Sequence, residues 1–282
     1  MRTPRPPAGP FLKWAGGKSQ LLPALLKVIP SKIKTYHEPF LGGGAVFFKL
    51  ASDRRFERAI LSDWNSELVD CYKIIRDFPD ELVARLREHW NANWNTAEYF
   101  KEMRGLHPDN LTHIDRAART IYLNKTCFNG LYRVNKSGQF NVPFGKFENP
   151  SLFREENIRA CSYALNHFAA LLQGDFVVAI DDAEEGDVVY FDPPYVPMSE
   201  TANFASYTSS GFDMNDQIRL SIAFKNIVNR GGLPILSNSD TPLVRELYDG
   251  FETHVVQATR SINSKGDGRG TVGEVIVVGK PA

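Results

Sequence analysis

The chain has 282 residues, of which 43% are hydrophobic and 23% charged, a composition typical of a soluble globular fold. No apolar run approaches the roughly 18 residues that a membrane-spanning helix needs, and the first residues lack the apolar core of a secretory signal. A formal net charge of +0 excludes a basic field over the whole molecule. The three cysteines have no CxxC spacing, which argues against a metal site and for reduced thiols in a cytoplasmic setting.

The first part of the chain has an α/β pattern, which follows a lead-in at residues 1–10 that we expect to be disordered. Residues 35–38 predict a short strand that runs into a glycine-rich turn at 39–44, and a helix is expected from 45 to about 51. Residues 59–62 predict a second buried strand that ends at Asp63. The glycines at the strand-to-helix junction would let a cofactor lie against the backbone at a helix N-terminus.

Two charged residues in this part have more than one interpretation. Asp63 lies about 20 residues after Gly43, the spacing at which an acid binds ribose hydroxyls in dinucleotide folds. Alternatively, it caps the helix that follows. Lys18 ends a Gly-Lys-Ser sequence, but Leu12 stands where a P-loop needs glycine, so a nucleoside triphosphate site is excluded. Lys18 can instead meet the carboxylate of a ligand, or be a surface lysine near a buried Trp14.

The middle of the chain changes to a helical pattern and then to a hairpin pattern. Residues 66–104 are mainly helical, because Leu82, Leu86 and Trp90 recur on one helix face, and a further helix is expected at 115–124. Residues 132–134 and 139–142 flank a Ser-Gly turn and predict a β-hairpin.

The last part of the chain returns to an α/β pattern after Asp175. It predicts strands at 187–191, 233–236, 252–257 and 275–278, helices at 213–229 and 241–248, and a mobile loop at 260–270. Two stretches of α/β pattern therefore flank a helical and hairpin region. The sequence predicts an α/β fold with one doubly wound sheet and an inserted domain.

The sequence Asp192-Pro193-Pro194-Tyr195 directly follows a predicted buried strand of a parallel sheet. Open α/β sheets bind their ligands at this end of the strands. Because proline keeps the preceding residue extended, the Asp192 carboxylate and the Pro193 carbonyl would form a rigid pair of acceptors beside an aromatic ring. An exocyclic amine on a planar heterocycle fits such a pair. The alternative is a turn with Tyr195 packed in the core.

Basic residues are concentrated between positions 116 and 159, where the sequence has eight basic and three acidic residues. This excess indicates a phosphate-binding surface, although a solvated face would have the same composition. The basic residues are Arg116, Arg119, Lys125, Arg133, Lys136, Lys146, Arg154 and Arg159, and the acids are Glu148, Glu155 and Glu156.

Five motifs occur in an order that resembles the Dam/Dpn-type adenine-N6 DNA methyltransferases of the D12 class, alpha group, GATC-specific subgroup. They are residues 11–18, 38–44, 62–68, 174–176 and 192–195. The resemblance implies a doubly wound, Rossmann-like S-adenosylmethionine-dependent methyltransferase sheet at 11–67 and 157–282. It also implies an inserted helical and β-hairpin DNA target-recognition domain at 68–156.

The resemblance also implies roles for individual residues. Catalysis would fall to Asp192, Pro193, Pro194 and Tyr195. The cofactor S-adenosylmethionine would contact Trp14, Ala15, Gly16, Lys18, Glu38, Pro39, Phe40, Gly42, Gly43, Gly44, Asp63, Asn65, Asp175, Phe176 and Asp192. DNA would contact Lys13, Phe128, Asn129, Leu131, Arg133, Asn135, Pro143 and Lys146. Many relatives have tyrosine where Phe128 stands, so the contact that the tyrosine hydroxyl makes would be absent here.

The implied activity is methyl transfer to N6 of a flipped-out adenine in double-stranded GATC sites, in restriction-modification or in genome methylation. Asp192 before Pro-Pro-Tyr favours adenine over cytosine, and no cysteine follows a proline, so C5 methylation is unsupported. The alternatives are adenine in another short site, cytosine-N4, and a non-enzymatic DNA-binding module. The expected partners are double-stranded DNA and a separate restriction endonuclease. We expect the protein to be a monomer or a weak dimer. We also expect it to be of bacterial or phage-like origin, to be associated with the nucleoid, and not to bind a membrane.

Overall fold

The computed structural model describes residues 7–14, 18, 20–90, 94–135, 137–148, 153–196, 212–259 and 271–281. The chain divides into two compact units. The first unit comprises residues 1–18, 42–54 and 63–174, and the second comprises residues 19–41, 55–62 and 175–282. The helical middle of the chain thus belongs to a unit larger than the predicted insertion at 68–156. The predicted mobile loop at 260–270 lies outside the described residues.

Strands and helices alternate as expected in the outer parts of the chain. The strands are β1 Ile33–Glu38, β2 Phe56–Asp63, β3 Ala169–Gln173, β4 Val188–Phe191, β5 Leu233–Ser239, β6 Glu252–Thr259 and β7 Thr271–Val278. The helices of the described residues are α1 Leu22–Val28, α2 Ala45–Ser52, α3 Ser66–Asp77, α4 Pro79–His89, α5 Ala97–Gly105, α6 His113–Thr126, α7 Glu155–Phe168, α8 Met214–Asn229 and α9 Pro242–Leu247. The sequence did not predict α1, α7 or β3.

The second unit is built on six strands of a mixed sheet in the order β2-β1-β4-β5-β7-β6. Strands β2, β1, β4 and β5 are parallel, and β7 is antiparallel to both of its neighbours. All four residues of β4 are buried and both of its neighbours are parallel to it, which confirms the predicted buried strand of a parallel sheet. The α/β class is confirmed, whereas the antiparallel β7 was not predicted, because an apolar strand has the same pattern in either direction.

The core of the second unit lies between the sheet and α8. Phe191, Leu236 and Val277 from the strands pack with Leu220 and Phe224 of the helix. The helix begins at a capping box in which Asp213 and Asp216 exchange side-chain to backbone hydrogen bonds. The pairing of Phe191 with Leu236 places the residue after β4 beside the last part of β5. The carboxyl ends of these strands therefore meet at one edge.

The first unit contains the predicted middle helices and the hairpin. Phe100, Tyr122 and Leu123 of the helices pack against Phe140 and Val142 of the hairpin. An antiparallel bridge joins Val134 to Phe140, and a second joins Cys127 to Phe144, which confirms the predicted hairpin.

Part of the predicted disordered lead-in has defined contacts in the first unit. The Gly9 N–H donates to the side-chain oxygen of Asn157 at 3.0 Å, and the Asn157 amide donates back to the Gly9 carbonyl at 2.9 Å. Residues 1–6 lie outside the described residues. Within the described ranges, no helix combines the length and apolar character needed to cross a membrane.

Candidate functional site

The Asp-Pro-Pro-Tyr sequence follows β4 directly and is held by side chains of β5 and β7. The Ser237 hydroxyl donates to Oδ1 of Asp192 at 3.0 Å, and the Tyr195 hydroxyl donates to Oε2 of Glu274 at 3.1 Å. Asp192 is partly exposed and Pro193 is buried, while Pro194 faces solvent. The tetrapeptide is therefore at the carboxyl end of a buried parallel strand, as the sequence predicts.

A second set of buried side chains supports the same loop. The Gln217 amide on α8 donates to the Pro194 carbonyl at 3.0 Å, and the Asn238 oxygen accepts the Val196 N–H at 3.0 Å. The Asn238 amide also donates to the Gln217 oxygen at 3.4 Å. Because the Pro194 carbonyl is engaged inside the unit, the Pro193 carbonyl is the better candidate for binding a ligand amine.

Three tyrosines beside Asp192 are held in their neutral form. Burial raises the pKa of Tyr36, Tyr190 and Tyr195 well above the usual value, and nearby carboxylates add to the effect. The Tyr36 hydroxyl donates to Oε2 of Glu38 at 2.9 Å, and both residues are buried. These phenols therefore act as hydrogen-bond donors at neutral pH.

In the first unit, the glycine turn before α2 is tied to Asp63. The Gly42 N–H donates to Oδ2 of Asp63 at 2.9 Å, and the Asn65 N–H donates to Oδ1 at 2.9 Å. Burial raises the pKa of Asp63. Asn65, and not Asp63, caps α3, because its side chain accepts the Leu68 N–H. The helix-capping interpretation of Asp63 is therefore wrong.

The indole of Trp14 lies over this glycine turn and stacks on Tyr132, with ring centroids 5.3 Å apart. A Cβ atom added to Gly42, whose φ is +48°, would lie 3.0 Å from Cδ1 of Trp14. Glycine is therefore required where the backbone approaches the indole. Lys18 is buried, so it is not the surface lysine of the alternative interpretation. Ala15 and Gly16 lie outside the described residues.

The remaining predicted cofactor residues form an aromatic cluster in the second unit. The Phe40 ring stacks on Phe176 with centroids 5.7 Å apart, next to a buried Pro39. Asp175 accepts the Val177 N–H and pairs with Arg219 at 3.0 Å. Asp175 therefore has a local structural partner in addition to any ligand.

Lys13 is anchored to the hairpin end of the first unit by one buried side chain. Asn124 accepts the Lys13 N–H at 2.8 Å and donates to the Lys13 carbonyl at 2.6 Å. It also donates to the Gly130 carbonyl at 3.0 Å. The Lys13 ammonium lies 4.5 Å from the centroid of the Phe147 ring.

Asn141 orients the guanidinium of Arg133 on the hairpin. Nε of Arg133 donates to the Asn141 side-chain oxygen at 2.6 Å, and Nη2 donates to the Asn141 carbonyl at 3.1 Å. The opposite edge of the guanidinium has the two-donor geometry that suits guanine O6 and N7.

The other residues that we predicted to contact DNA lie on the same hairpin or next to it, and they differ in exposure. Phe128 is 48% exposed, and Asn129 beside it has a φ of +55°. Leu131 is partly buried, while Pro143 and Lys146 are exposed. The Asn135 oxygen accepts N–H groups from Ser137 and Gln139, so this side chain shapes the hairpin turn.

The basic residues between positions 116 and 159 differ in their burial and in their partners. Arg119 is buried and donates to backbone carbonyls of α5, while Arg116 and Arg159 pair with acids. Lys125 and Arg154 line a cavity of about 440 Å³ with Lys13. Burial, with the two neighbouring cations, lowers the pKa of Lys125 to about 8.

The three cysteines are buried thiols without disulfides. Burial raises the pKa of Cys127 to about 11 and that of Cys161 to about 12, and it raises the pKa of Cys71 further. None of them has the lowered pKa of a nucleophilic thiolate.

The residues that support the site were not assigned from the sequence. Ser237, Asn238, Gln217 and Glu274 hold the tetrapeptide, and Asn124 and Asn141 hold Lys13 and Arg133. The polar run at the end of β5, within an otherwise apolar strand, was the available signal for Ser237 and Asn238.

The mixed sheet carries the Asp-Pro-Pro-Tyr sequence at the carboxyl end of a buried parallel strand, as the resemblance to S-adenosylmethionine-dependent amino-methyltransferases implies. The chain belongs to the family described as D12 class N6 adenine-specific DNA methyltransferase, which matches residues 14–262. It is thus an adenine-specific DNA methyltransferase that uses S-adenosylmethionine as methyl donor.

Three curated relatives match nearly the whole chain. The Type II methyltransferase M1.LlaDCHI of Lactococcus lactis subsp. cremoris is 44% identical over 273 residues, covering 95% of this chain and 94% of the relative. The Type II methyltransferase M.MjaIII of Methanocaldococcus jannaschii is 40% identical over 274 residues, covering 92% and 94%. The DNA adenine methylase of Escherichia coli strain K12 is 38% identical over 277 residues, covering 96% and 95%.

Proposed function

We propose that this enzyme methylates N6 of adenine in double-stranded GATC sites and that it acts on a base flipped out of the duplex. The observation that carries the proposal is the Asp192 carboxylate, held by Ser237 at the end of a buried parallel strand and followed by Pro193 and Tyr195. This arrangement supplies two acceptors and an aromatic face for one amino-substituted heterocycle.

The residues assigned to S-adenosylmethionine have the chemistry that this cofactor needs. In the first unit, the backbone of the glycine turn at Gly42 packs closely against the Trp14 indole, and the nearby, partly buried Asp63 is an acceptor that suits ribose hydroxyls. Lys18 would meet the carboxylate of the methionine part. In the second unit, Phe40 and Phe176 provide aromatic surface for the adenine part. The bound cofactor supplies an electrophilic methyl group.

The target amine lies inside a base pair of the duplex, so flipping costs a few kcal/mol. We infer that Tyr195 stacks on the flipped base, while Asp192 and the Pro193 carbonyl accept the two amine hydrogens. These hydrogen bonds draw the nitrogen lone pair out of conjugation and aim it at the methyl carbon. The cofactor would supply the methyl group and leave as the neutral thioether, while Asp192 and the Pro193 carbonyl hold the amine, which would lose one proton to solvent. Positioning of the reacting groups and electrostatic stabilisation of the transition state account for the acceleration of the reaction.

We assign GATC recognition to the hairpin and to Lys13. Arg133, oriented by Asn141, suits one guanine, and Lys13, anchored by Asn124, suits the other. Leu131 and Pro143 are apolar, as contacts to a thymine methyl require.

The same surface provides groups for opening the duplex and for holding its backbone. The exposed Phe128 ring can enter the base stack, and Asn129 can face the orphaned thymine. Lys125, Lys146 and Arg154 provide charge for phosphates. This part of the chain, within residues 68–156, is our proposed target-recognition region.

Two relatives are named Type II methyltransferases, and this supports a separate restriction endonuclease as partner. A plasmid that carries GATC sites tests whether the methylation protects DNA, as such a partner would require. After expression of the protein, the plasmid should resist endonucleases that methylation of GATC adenine blocks.

Transfer of labelled methyl groups from S-adenosylmethionine to two duplexes, one with GATC and one with GTAC, tests the proposal. Label as N6-methyladenine in GATC alone is the expected result. N6-methyladenine in another site would overturn the recognition assignments and leave the chemistry intact. N4-methylcytosine would overturn the assignment of Asp192 to adenine. Cofactor binding without transfer to any DNA would overturn the proposed function.

A further inference from the structure

A continuous chain of hydrogen bonds runs from the buried interior of the second unit to the Asp192 carboxylate. The Tyr190 hydroxyl lies 2.9 Å from Oγ of Ser237, and Oγ of Ser237 lies 3.0 Å from Oδ1 of Asp192. Tyr190 and Ser237 have no exposed surface, whereas Asp192 is partly exposed. Of these three groups, only the Asp192 carboxylate can therefore reach a substrate.

The direction of the protons along this chain follows from the number of donors. Ser237 has one hydroxyl hydrogen, and the ionised Asp192 carboxylate can only accept, so Ser237 donates to Asp192. The Ser237 oxygen must then accept from Tyr190, whose pKa burial raises well above the usual value. Both hydrogen bonds thus point toward the carboxylate, and donation to a carboxylate favours its ionised form.

The surroundings make this donation important, because two further carboxylates belong to the same electrostatic cluster. Glu38 on β1 interacts with Tyr36 and Tyr190, and Glu274 on β7 interacts with Tyr195, and each of these tyrosines also interacts with Asp192. Burying like charges near one another favours the protonated acid. A protonated Asp192 would present an O–H donor and a weaker acceptor to the target amine.

We propose that Ser237, with Tyr190 behind it, is a positioning residue that keeps Asp192 ionised and oriented as the acceptor for the target amine. The inference rests on the proposed role of Asp192 in amine methylation. Ser237 does not touch the substrate in this account, because it is fully buried. Its effect on the reaction passes through the Asp192 carboxylate and through the Tyr195 hydroxyl, with which Ser237 also interacts.

The test is the single-turnover rate of methyl transfer to a GATC duplex, with enzyme in excess. Ser237→Ala should lower this rate by about 10-fold to 100-fold, the factor that corresponds to losing a hydrogen bond to a charged group. The affinities for S-adenosylmethionine and DNA should stay within about twofold of the wild-type values, since one hydrogen bond outside both contacts is lost. Ser237→Cys, which retains a weak S–H donor, should recover part of the rate.

The pH dependence separates positioning from a purely structural role. The acid limb of the rate profile should move to higher pH in Ser237→Ala, because the carboxylate loses a donor that favours ionisation. Tyr190→Phe should show a shift in the same direction and a smaller loss, of about threefold to tenfold. Tyr190→Phe leaves the hydrogen bond between Ser237 and Asp192 in place, so it tests the hydrogen-bond relay even if Ser237→Ala does not fold. Ser221→Ala, which removes another buried hydroxyl of the same unit, should match the wild type.

The outcomes distinguish this inference from the proposed function. Wild-type rates and pH profiles in Ser237→Ala and Tyr190→Phe, with Asp192→Ala inactive, would overturn the positioning role and leave the proposed function standing. The same holds for a lowered rate with an unshifted acid limb in both variants. Full activity of Asp192→Ala, or no transfer by the wild type to any DNA, would overturn both.

Discussion

Replacing Gly130 by alanine should displace Lys13 and thereby weaken both folding and DNA binding. Gly130 has a φ of +65°, and a Cβ atom there would lie 2.5 Å from Cβ of Lys13. The lysine cannot move aside freely, because Asn124 binds both its N–H and its carbonyl. The contact involves the base of the side chain, which is far less adaptable than its end.

The expected cost has two parts. The left-handed backbone conformation costs a non-glycine residue about 1–2 kcal/mol, and overpacking adds about 1–3 kcal/mol. Gly138→Ala is the matched control, because Gly138 has a φ of +73° in the same hairpin but no atom within 4 Å of the added Cβ. The free energy of unfolding should therefore fall by about 1–2 kcal/mol in Gly138→Ala and by about 2–5 kcal/mol in Gly130→Ala.

Urea unfolding measures the two free energies, and a fluorescence titration with a GATC duplex measures the affinities. Gly130→Ala should lose about tenfold in DNA affinity, as expected for one displaced base contact, and Lys13→Ala should lose a similar factor. Equal destabilisation by Gly130→Ala and Gly138→Ala would refute the steric reasoning. Unchanged affinity in Lys13→Ala would refute the role of Lys13.

Three further predictions concern other parts of the molecule. Asp63→Asn should weaken S-adenosylmethionine binding about tenfold by equilibrium dialysis, since one acceptor for a ribose hydroxyl is lost; a full-strength complex would contradict the assignment. Gln217→Glu puts a carboxylate oxygen against the Pro194 carbonyl, so the rate of methyl transfer should fall about tenfold or more, and an unchanged rate would show that this anchor is dispensable. The pKa of Lys125 in the folded protein, about 8, lies below its usual value of 10.5. The unfolded chain therefore binds more protons between these values, and wild-type stability should rise relative to Lys125→Met as pH rises from about 8 to 10. Parallel stability curves for the two proteins over this range would contradict the lowered pKa.

The sequence by itself determined the elements whose signal is local. The apolar run before Asp192 predicts a buried strand, and the two prolines after it exclude a helix, so the place of the tetrapeptide followed from neighbouring residues. The glycine turn before α2 and the Ser137–Gly138 turn of the hairpin have similarly local causes. The order of the motifs then identified the family.

Only the tertiary structure decided which distant residues support these elements. Ser237 lies 45 positions from Asp192 along the chain, and Asn124 lies 111 positions from Lys13. The reversed direction of β7 and the burial of Arg119 were likewise hidden, because neither alters the local pattern. Hydrogen bonds between remote segments depend on strand order and register, which local periodicity does not encode. The chemistry at the end of β4 was therefore readable from the sequence, whereas the groups that orient it required the fold.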